Sequence, residues 1–382
     1  MRVRPPPVVP PAQGGFSLVE MLVGTLIALL AVIVVFETFA VAEGFKRNTT
    51  GAADAQEAGL LAIFNLGLEL ASAGNGIAAA GDELGRCDPA APIGSDIRTT
   101  MRPIPVLITD GGSNGGTVNS DSLVVNYGAA ARTVAPARFQ GAGPWAVGST
   151  RFTVTSPNGF GPDDLVVGVA DRARATTECD FLKLGAAAVD QATGVATLTT
   201  TTGSTVAFTT ASVLFNLGPA GQARRVLYDV RGDALRSTDL LTAGATANPL
   251  ASNVMLLKAQ YGVDTDGDGA VDSWVRGEGD WAPAAVLAMP MHPPAPGAPD
   301  PALSRIKAVR IGVIVRSEQH DRSVTSPYAW VLFDCPEADK ARCPGRLAAD
   351  ARSALPVNWR YRVHETTVPL RNQIWNPAPW SP

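Results

Sequence analysis

The stretch Gly14-Gly15-Phe16-Ser17-Leu18-Val19-Glu20-Met21, together with the uncharged run that follows it to Phe36, decides how the rest of the chain is read. From Leu18 to Val35 the one charged residue is Glu20. At about 1.5 Å of rise per residue, a helix over this run nearly crosses a hydrocarbon core, so the segment is expected to lie in a bilayer. Ahead of it, Met1 to Gly15 carries Arg2 and Arg4, a proline cluster from Pro5 to Pro11 and no acid. Positive charge beside a spanning helix stays on the cytoplasmic side, which sends the remaining chain outside. A secretory signal is cut after its apolar run, following small residues; here the pair Gly14-Gly15 comes before the run, and the order is reversed. An acid inside a spanning helix costs about 2.5 to 3.5 kcal/mol at the bilayer centre, so Glu20 is expected to have a partner.

Gly15-Phe16-Ser17-Leu18-Val19-Glu20 resembles the class III signal of type IV pilins. The resemblance implies that a prepilin peptidase cuts between Gly15 and Phe16, that the new terminal Phe16 is N-methylated, and that the apolar helix is kept. It also implies that Glu20 pairs with the Phe16 amine of a neighbouring subunit during assembly. A plain membrane anchor explains the run but neither Glu20 nor the glycine pair.

The chain has 382 residues, 46% hydrophobic and 17% charged, which suits one long helix plus one or two globular domains. With 31 basic against 35 acidic residues and no basic block, nucleic acid is not a supported partner. The 30 prolines and 38 glycines, spread among Ala, Thr and Val tracts, point to many short strands and loops.

Three segments are expected: a leader over 1–15, a long helix over 16–74 with about 16–38 in the membrane, and a β-rich extracytoplasmic domain over 75–382. The helix should bend near Asn48-Thr49-Thr50-Gly51, present Leu61, Phe64, Leu68 and Ala71 to the domain, and end at Ala73-Gly74-Asn75-Gly76. Ile77 to Thr117 reads as loop. Strands are expected at Ser122–Tyr127, Arg151–Thr155, Asp164–Val169 and Val254–Tyr261, with hairpins pairing Gly194–Thr199 to Thr205–Phe208 and Arg225–Val230 to Ala234–Ser237. Trp281 to Pro301 is crowded with proline and reads as a surface loop. Ile306–Arg316 alternates like a central strand with one polar face, and Trp359–Asn372 reads as a terminal strand. The fold expected is α+β: a long helix packed on an antiparallel sheet domain.

Taken in order, Ser120-Asp121-Ser122-Leu123-Val124-Val125-Asn126-Tyr127, the strand entering Cys179-Asp180, Gln260-Tyr261-Gly262-Val263-Asp264, Ala308-Val309-Arg310-Ile311 and Thr366-Thr367-Val368-Pro369-Leu370-Arg371-Asn372 resemble the PilW family of minor pilins. The resemblance implies a part in priming or capping pilus assembly. Its implied partners are other minor and major pilins, the prepilin peptidase and a tip adhesin. The implied location is the inner membrane before assembly, with the C-terminal domain periplasmic, and the pilus or cell surface afterwards. Two alternatives are a pseudopilin of a type II secretion system and a pilin-anchored adhesin that binds a glycan or host protein.

No Gly-x-Ser-x-Gly, His-Glu-x-x-His, phosphate loop or Cys-x-x-Cys occurs, and His292, His320 and His364 are far apart in sequence, so no enzyme template fits. Four cysteines outside the membrane favour disulfides, and of three connectivities the expected one pairs Cys87 with Cys179 and Cys335 with Cys343. A structural Ca2+ is expected in Asp264-Thr265-Asp266-Gly267-Asp268-Gly269-Ala270-Val271-Asp272. Asp264, Asp266 and Asp268 take the first, third and fifth places around a turning glycine, Ala270 offers a carbonyl, and Asp272 takes the ninth place. The twelfth place is Val275 where an EF-hand has Glu, and the competing reading is a plain Asp-Gly hairpin turn.

Overall fold

The computed structural model describes residues 15–76, 87, 104–114, 117–128, 136–156, 159–171, 177–189, 195–242, 244–293, 300–320, 329–334, 347–350 and 358–374. Two compact units emerge, residues 1–51 and 52–382.

The first unit holds most of one 55-residue helix, α1 (Leu18–Ser72), and its apolar run is fully exposed in the single chain. Among the described residues α1 alone is long and apolar enough to cross a membrane. The helix is continuous over residues 48–51, where Thr49 Oγ1 donates to the Phe45 carbonyl at 3.0 Å. It ends at Ser72, and Gly74 and Gly76 follow with φ of 77° and 67°, the left-handed exit that the Ala73-Gly74-Asn75-Gly76 stop predicts.

In the second unit, five antiparallel strands form a first sheet in the order β1 (Val106–Thr109), β4 (Ser122–Tyr127), β11 (Arg224–Arg231), β12 (Ala234–Asp239), β13 (Asn248–Ser252). Another has the order β15 (Ser273–Val275), β14 (Val254–Val263), β16 (Ile306–Arg316), β19 (Tyr361–Pro369), again all antiparallel. Between them and α1 lies the main core, in which Leu66 and Leu70 meet Val125, Leu257, Val309 and Ile311. Two further antiparallel pairs, β2 (Ser113–Asn114) with β3 (Thr117–Val118) and β17 (Ala329–Leu332) with β18 (Leu347–Asp350), complete the ladders among the described residues outside a third large sheet.

That third sheet is inserted between β4 and β11. Its order is β5 (Ala137–Arg138), β10 (Val213–Pro219), β7 (Asp164–Val169), β8 (Cys179–Val189), β9 (Ala196–Thr200), β6 (Arg151–Val154). The ends then meet: Phe139 pairs with Val154, Gln140 N–H donates to the Thr153 carbonyl at 2.9 Å and Thr155 N–H to the Arg138 carbonyl at 2.8 Å. The six strands therefore close into a barrel, which leaves no open edge. Phe139, Phe152 and Phe208 fill it, with ring centroids 5.0 to 5.8 Å apart. Alternation along β7 puts Val166 inside among these rings and Leu165, Val167 and Val169 outside against Cys87, Cys179 and Phe215, so β7 is buried on both faces.

Several expectations change. Leu61, Phe64 and Leu68 are exposed, by 46%, 66% and 59%, and the covered face of α1 is Ala55, Ala62, Leu66 and Leu70. Small residues at the contact let the helix approach the sheet closely, and the bulky ones are left outward. Gly194–Thr199 does not pair with Thr205–Phe208: β9 lies between β8 and β6, while Phe208 bridges Trp145. Ile77–Thr117 is not all loop, because β1, β2 and β3 lie within it or at its end. The second face of strand β16 carries Arg310 and Arg316, as expected, but it is covered: Ile314 packs with Leu332, Phe333 and Tyr361, Arg310 lies over Trp274 and Phe333, and Arg316 over Trp359. The proline-rich tract includes a short helix, Pro283–Ala288, seated on Val286.

Candidate functional site

At the start of α1, Ser17 and Glu20 cap the helix reciprocally. Val19 N–H donates to Ser17 Oγ at 3.3 Å, and Ser17 N–H donates to Glu20 Oε2 at 3.1 Å. This is a capping box, in which the acid at the third helical position satisfies a main-chain donor that no helix turn can reach. Within the single chain, then, the partner of Glu20 is its own helix terminus. Phe16 stands 86% exposed, and a side chain at Gly15 would meet nothing within 4 Å. Gly14 lies outside the described residues.

The acidic loop joins β14 to β15, whose register sets Val263 opposite Ser273 and Tyr261 opposite Val275. Its hairpin form agrees with the plain turn reading, and Val275 is locked in a strand. Ligand oxygens of Asp264, Asp266 and Asp268 lie within 4.8 Å of one another, the first buried and the others exposed. Asp264 is already tied down: Gly267 N–H and Gly269 N–H donate to its two oxygens at 2.5 and 2.9 Å, and Lys307 Nζ is 3.7 Å away. Both glycines need positive φ, 89° and 92°, for this wrap. Asp272 is turned to Thr265, whose N–H and Oγ1 donate to its Oδ2 at 2.7 and 2.8 Å. Those bonds hold its carboxyl below the usual range. The Ala270 N–H donates to Asp268 Oδ1 at 2.7 Å. Arg305 Nη1 donates to the Asp264 and Thr265 carbonyls and fixes the loop base from beneath. Three carboxylates thus converge, while Asp272 serves the loop itself.

Cys87 and Cys179 form a disulfide across 92 residues, as expected, anchoring the segment before β1 to the barrel strand β8. In the chain-entropy model a loop of that length stabilises by about 4 to 5 kcal/mol. Cys335 and Cys343 lie outside the described residues.

The sequence reading missed a buried cluster. Lys258 on β14, Asp121 before β4 and Asp110 after β1 have side chains only 2%, 1% and 5% exposed. The signal was present: Val254-Met255-Leu256-Leu257-Lys258-Ala259 places one cation inside an apolar strand, where an unpaired charge is not tolerated.

A long N-terminal apolar helix joined to antiparallel sheets makes an α+β protein, consistent with a pilin-like fold. In the C-terminal part, residues 221–372, from the approach to β11 to just past β19, match the model of the PilW family, Type IV Pilus-assembly protein W. No curated protein matches the chain. Among solved structures, a Type IV-like pilin TTHA1219 from Thermus thermophilus is similar over 41% of this chain and 71% of its own, with 15% identity and a TM-score of 0.24. The barrel lies entirely before the matched region.

Proposed function

We propose that this chain is a minor type IV pilin of the PilW kind, acting in the initiation and assembly of the pilus through contacts with other pilins. The observation that carries this reading is the joining of one exposed, membrane-length helix to a β domain whose closing 221–372 match the pilus-assembly family. Its work is structural and not enzymatic. On this reading prepilin peptidase cuts between Gly15 and Phe16, the domain faces the periplasm, and α1 leaves the membrane for the fibre. The helix-capping bond of Glu20 supports a handover: once Phe16 carries a free amine, the carboxylate exchanges a neutral N–H for a charged partner on the adjoining subunit, a bond roughly twice as strong. Amino-terminal sequencing of the mature protein should begin at Phe16, and Gly15→Val should retain the leader. Glu20→Ala should be cut normally yet be depleted from sheared fibres; a mature chain beginning elsewhere overturns the assignment.

The acidic loop is read as a weak structural Ca2+ site held by Asp264, Asp266 and Asp268, with solvent completing the shell. The convergence of their oxygens supports it. A second reading, a pilin-anchored adhesin, draws on the closed barrel that stands outside the family match; glycan or host-protein binding that is lost when the barrel is removed would favour it.

A further inference from the structure

The buried cluster of Lys258, Asp121 and Asp110 has a geometry that ion pairing alone does not require. Lys258 Nζ lies 2.5 Å from Asp121 Oδ1 and 3.5 Å from Asp110 Oδ1. The Asp121 carboxyl is gripped on both oxygens by main chain: Gly111 N–H donates to Oδ1 and Ala259 N–H to Oδ2, each at 2.9 Å. Its own N–H donates to the Leu257 carbonyl at 2.8 Å, so the segment before β4 is laced directly to β14. Gly111 permits this approach, because any side chain there would run into the Ser120 carbonyl. Arg276 Nε stands 3.6 Å from Asp110 Oδ2, on the far side of that carboxylate from the lysine.

Removing a charge pair from water costs several kcal/mol per ion unless the pairing is excellent. Burial pushes the Asp121 carboxyl up, against the opposing pull of Lys258 and the main-chain donors. The dry site therefore favours any step that replaces the two charges by a neutral group. An amine held in contact with a carboxyl whose oxygens already face fixed donors is oriented for acyl condensation.

We propose that Lys258 Nζ and Asp121 Cγ join in an intramolecular isopeptide bond, with Asp110 as the proton relay. The lysine ammonium gives one proton to the Asp121 carboxylate, which leaves a neutral amine beside a neutral carboxyl. The amine lone pair attacks Cγ, and the Ala259 N–H receives the charge that develops on Oδ2. Asp110 takes a proton from the new C–N nitrogen and delivers it to the Oδ1 hydroxyl, the C–O bond breaks, and Oδ1 departs as water. In sum, carboxylate plus ammonium gives amide plus water. No electrons change hands and no co-reactant is consumed, and Asp110 ends as it began, ionised opposite Arg276. The bond closes a 137-residue span that contains the whole barrel.

The test is the mass of the full chain purified in detergent, reduced and alkylated, followed by proteolysis. Against the mass calculated from its measured amino terminus, with any terminal methyl and the alkylated cysteines counted, the native protein should be lighter by one water, and digestion should release a branched peptide joining the segments around Asp121 and Lys258. Lys258→Met and the near-isosteric Asp110→Asn should carry the full sequence mass. A native chain of unmodified mass overturns the proposal, and so does a missing water without the branched peptide, which would mark a cyclised aspartate. Crosslinking of Asp110→Asn to the native extent overturns the relay. Because the native protein alone decides the bond, misfolding of a variant leaves the outcome readable.

Discussion

At the scale of single residues, the contact between α1 and the last strand turns on Gly59 and His364. A Cβ at Gly59 would fall on the imidazole ring, so the glycine is what lets His364 of β19 lie against the helix. The ring bonds the Ala55 backbone, and its Nε2 is buried with no hydrogen-bond partner among the described residues. Burial first, and the charge of Arg362 second, hold its pKa below the ordinary value near 6.5, against the raising effect of the Ala55 bond. The unfolded chain then binds the proton more readily, so this group contributes stability above about pH 6.5 and loses it as pH falls through the folded pKa. Thermal unfolding of the detergent-solubilised protein should show a fall in Tm between pH 7.5 and 5 that is smaller in His364→Gln. An unchanged pH slope would remove His364 from the account. Gly59→Ala should cost about 1 to 3 kcal/mol by overpacking at every pH.

At the scale of elements, the acidic loop makes the next prediction. If its three carboxylates hold Ca2+ with water filling the shell, affinity should fall in the weak range of extracellular modules, about 10⁻⁴ to 10⁻³ M. Titration with calcium should raise the Tm of the native chain and leave Asp266→Asn plus Asp268→Asn unmoved; equal responses, or none in either, would make the loop a turn and nothing more. Lys307 beside Asp264 works against the ion, and Lys307→Met should tighten binding. The loop's place between two strands was legible, because Asp-Gly repeats between β-branched runs mark a turn. The helix was legible in extent but not in facing. Leu61, Phe64 and Leu68 form the conspicuous apolar stripe, yet packing selected Ala55, Gly59, Ala62, Leu66 and Leu70, since close approach to a sheet rewards small side chains that hydropathy ranks low. The barrel was not legible as a barrel. Its closure depends on Ala137–Phe139 finding both Val213–Leu214 and Val154, pairings set by partners far along the chain and invisible in local alternation.

For the whole molecule, the match to the pilus-assembly family and the barrel divide the second unit in sequence as well as in topology. Residues 221–372 supply three strands of the first sheet and all four of the one containing β14, and the barrel occupies the connection from Tyr127 to Arg224, which are themselves paired neighbours. Joining Gly128 to Ala223 through a short turn, with Cys87 replaced by Ser because its partner Cys179 leaves with the barrel, should therefore leave β4 and β11 paired. The shortened chain should remain folded by hydrogen exchange at β4, β11 and β14, and collapse of that protection would show that the barrel is a structural support. The same connection sets how a pull on the barrel would be borne. It enters the sheet along two adjacent strands in one direction, so β4 and β11 travel together and their shared ladder stays slack. The load passes to the flanking ladders, four residue pairs against β1 and six against β12, which must slip all at once instead of parting one by one. Beside the exit point, Gly74 N–H bonds the Asn126 carbonyl at 2.8 Å and Gly128 N–H the Asn75 carbonyl at 2.7 Å, carrying part of that tension straight into the end of α1. The barrel is thus held in shear, as a rivet is, and not on a hinge that peels.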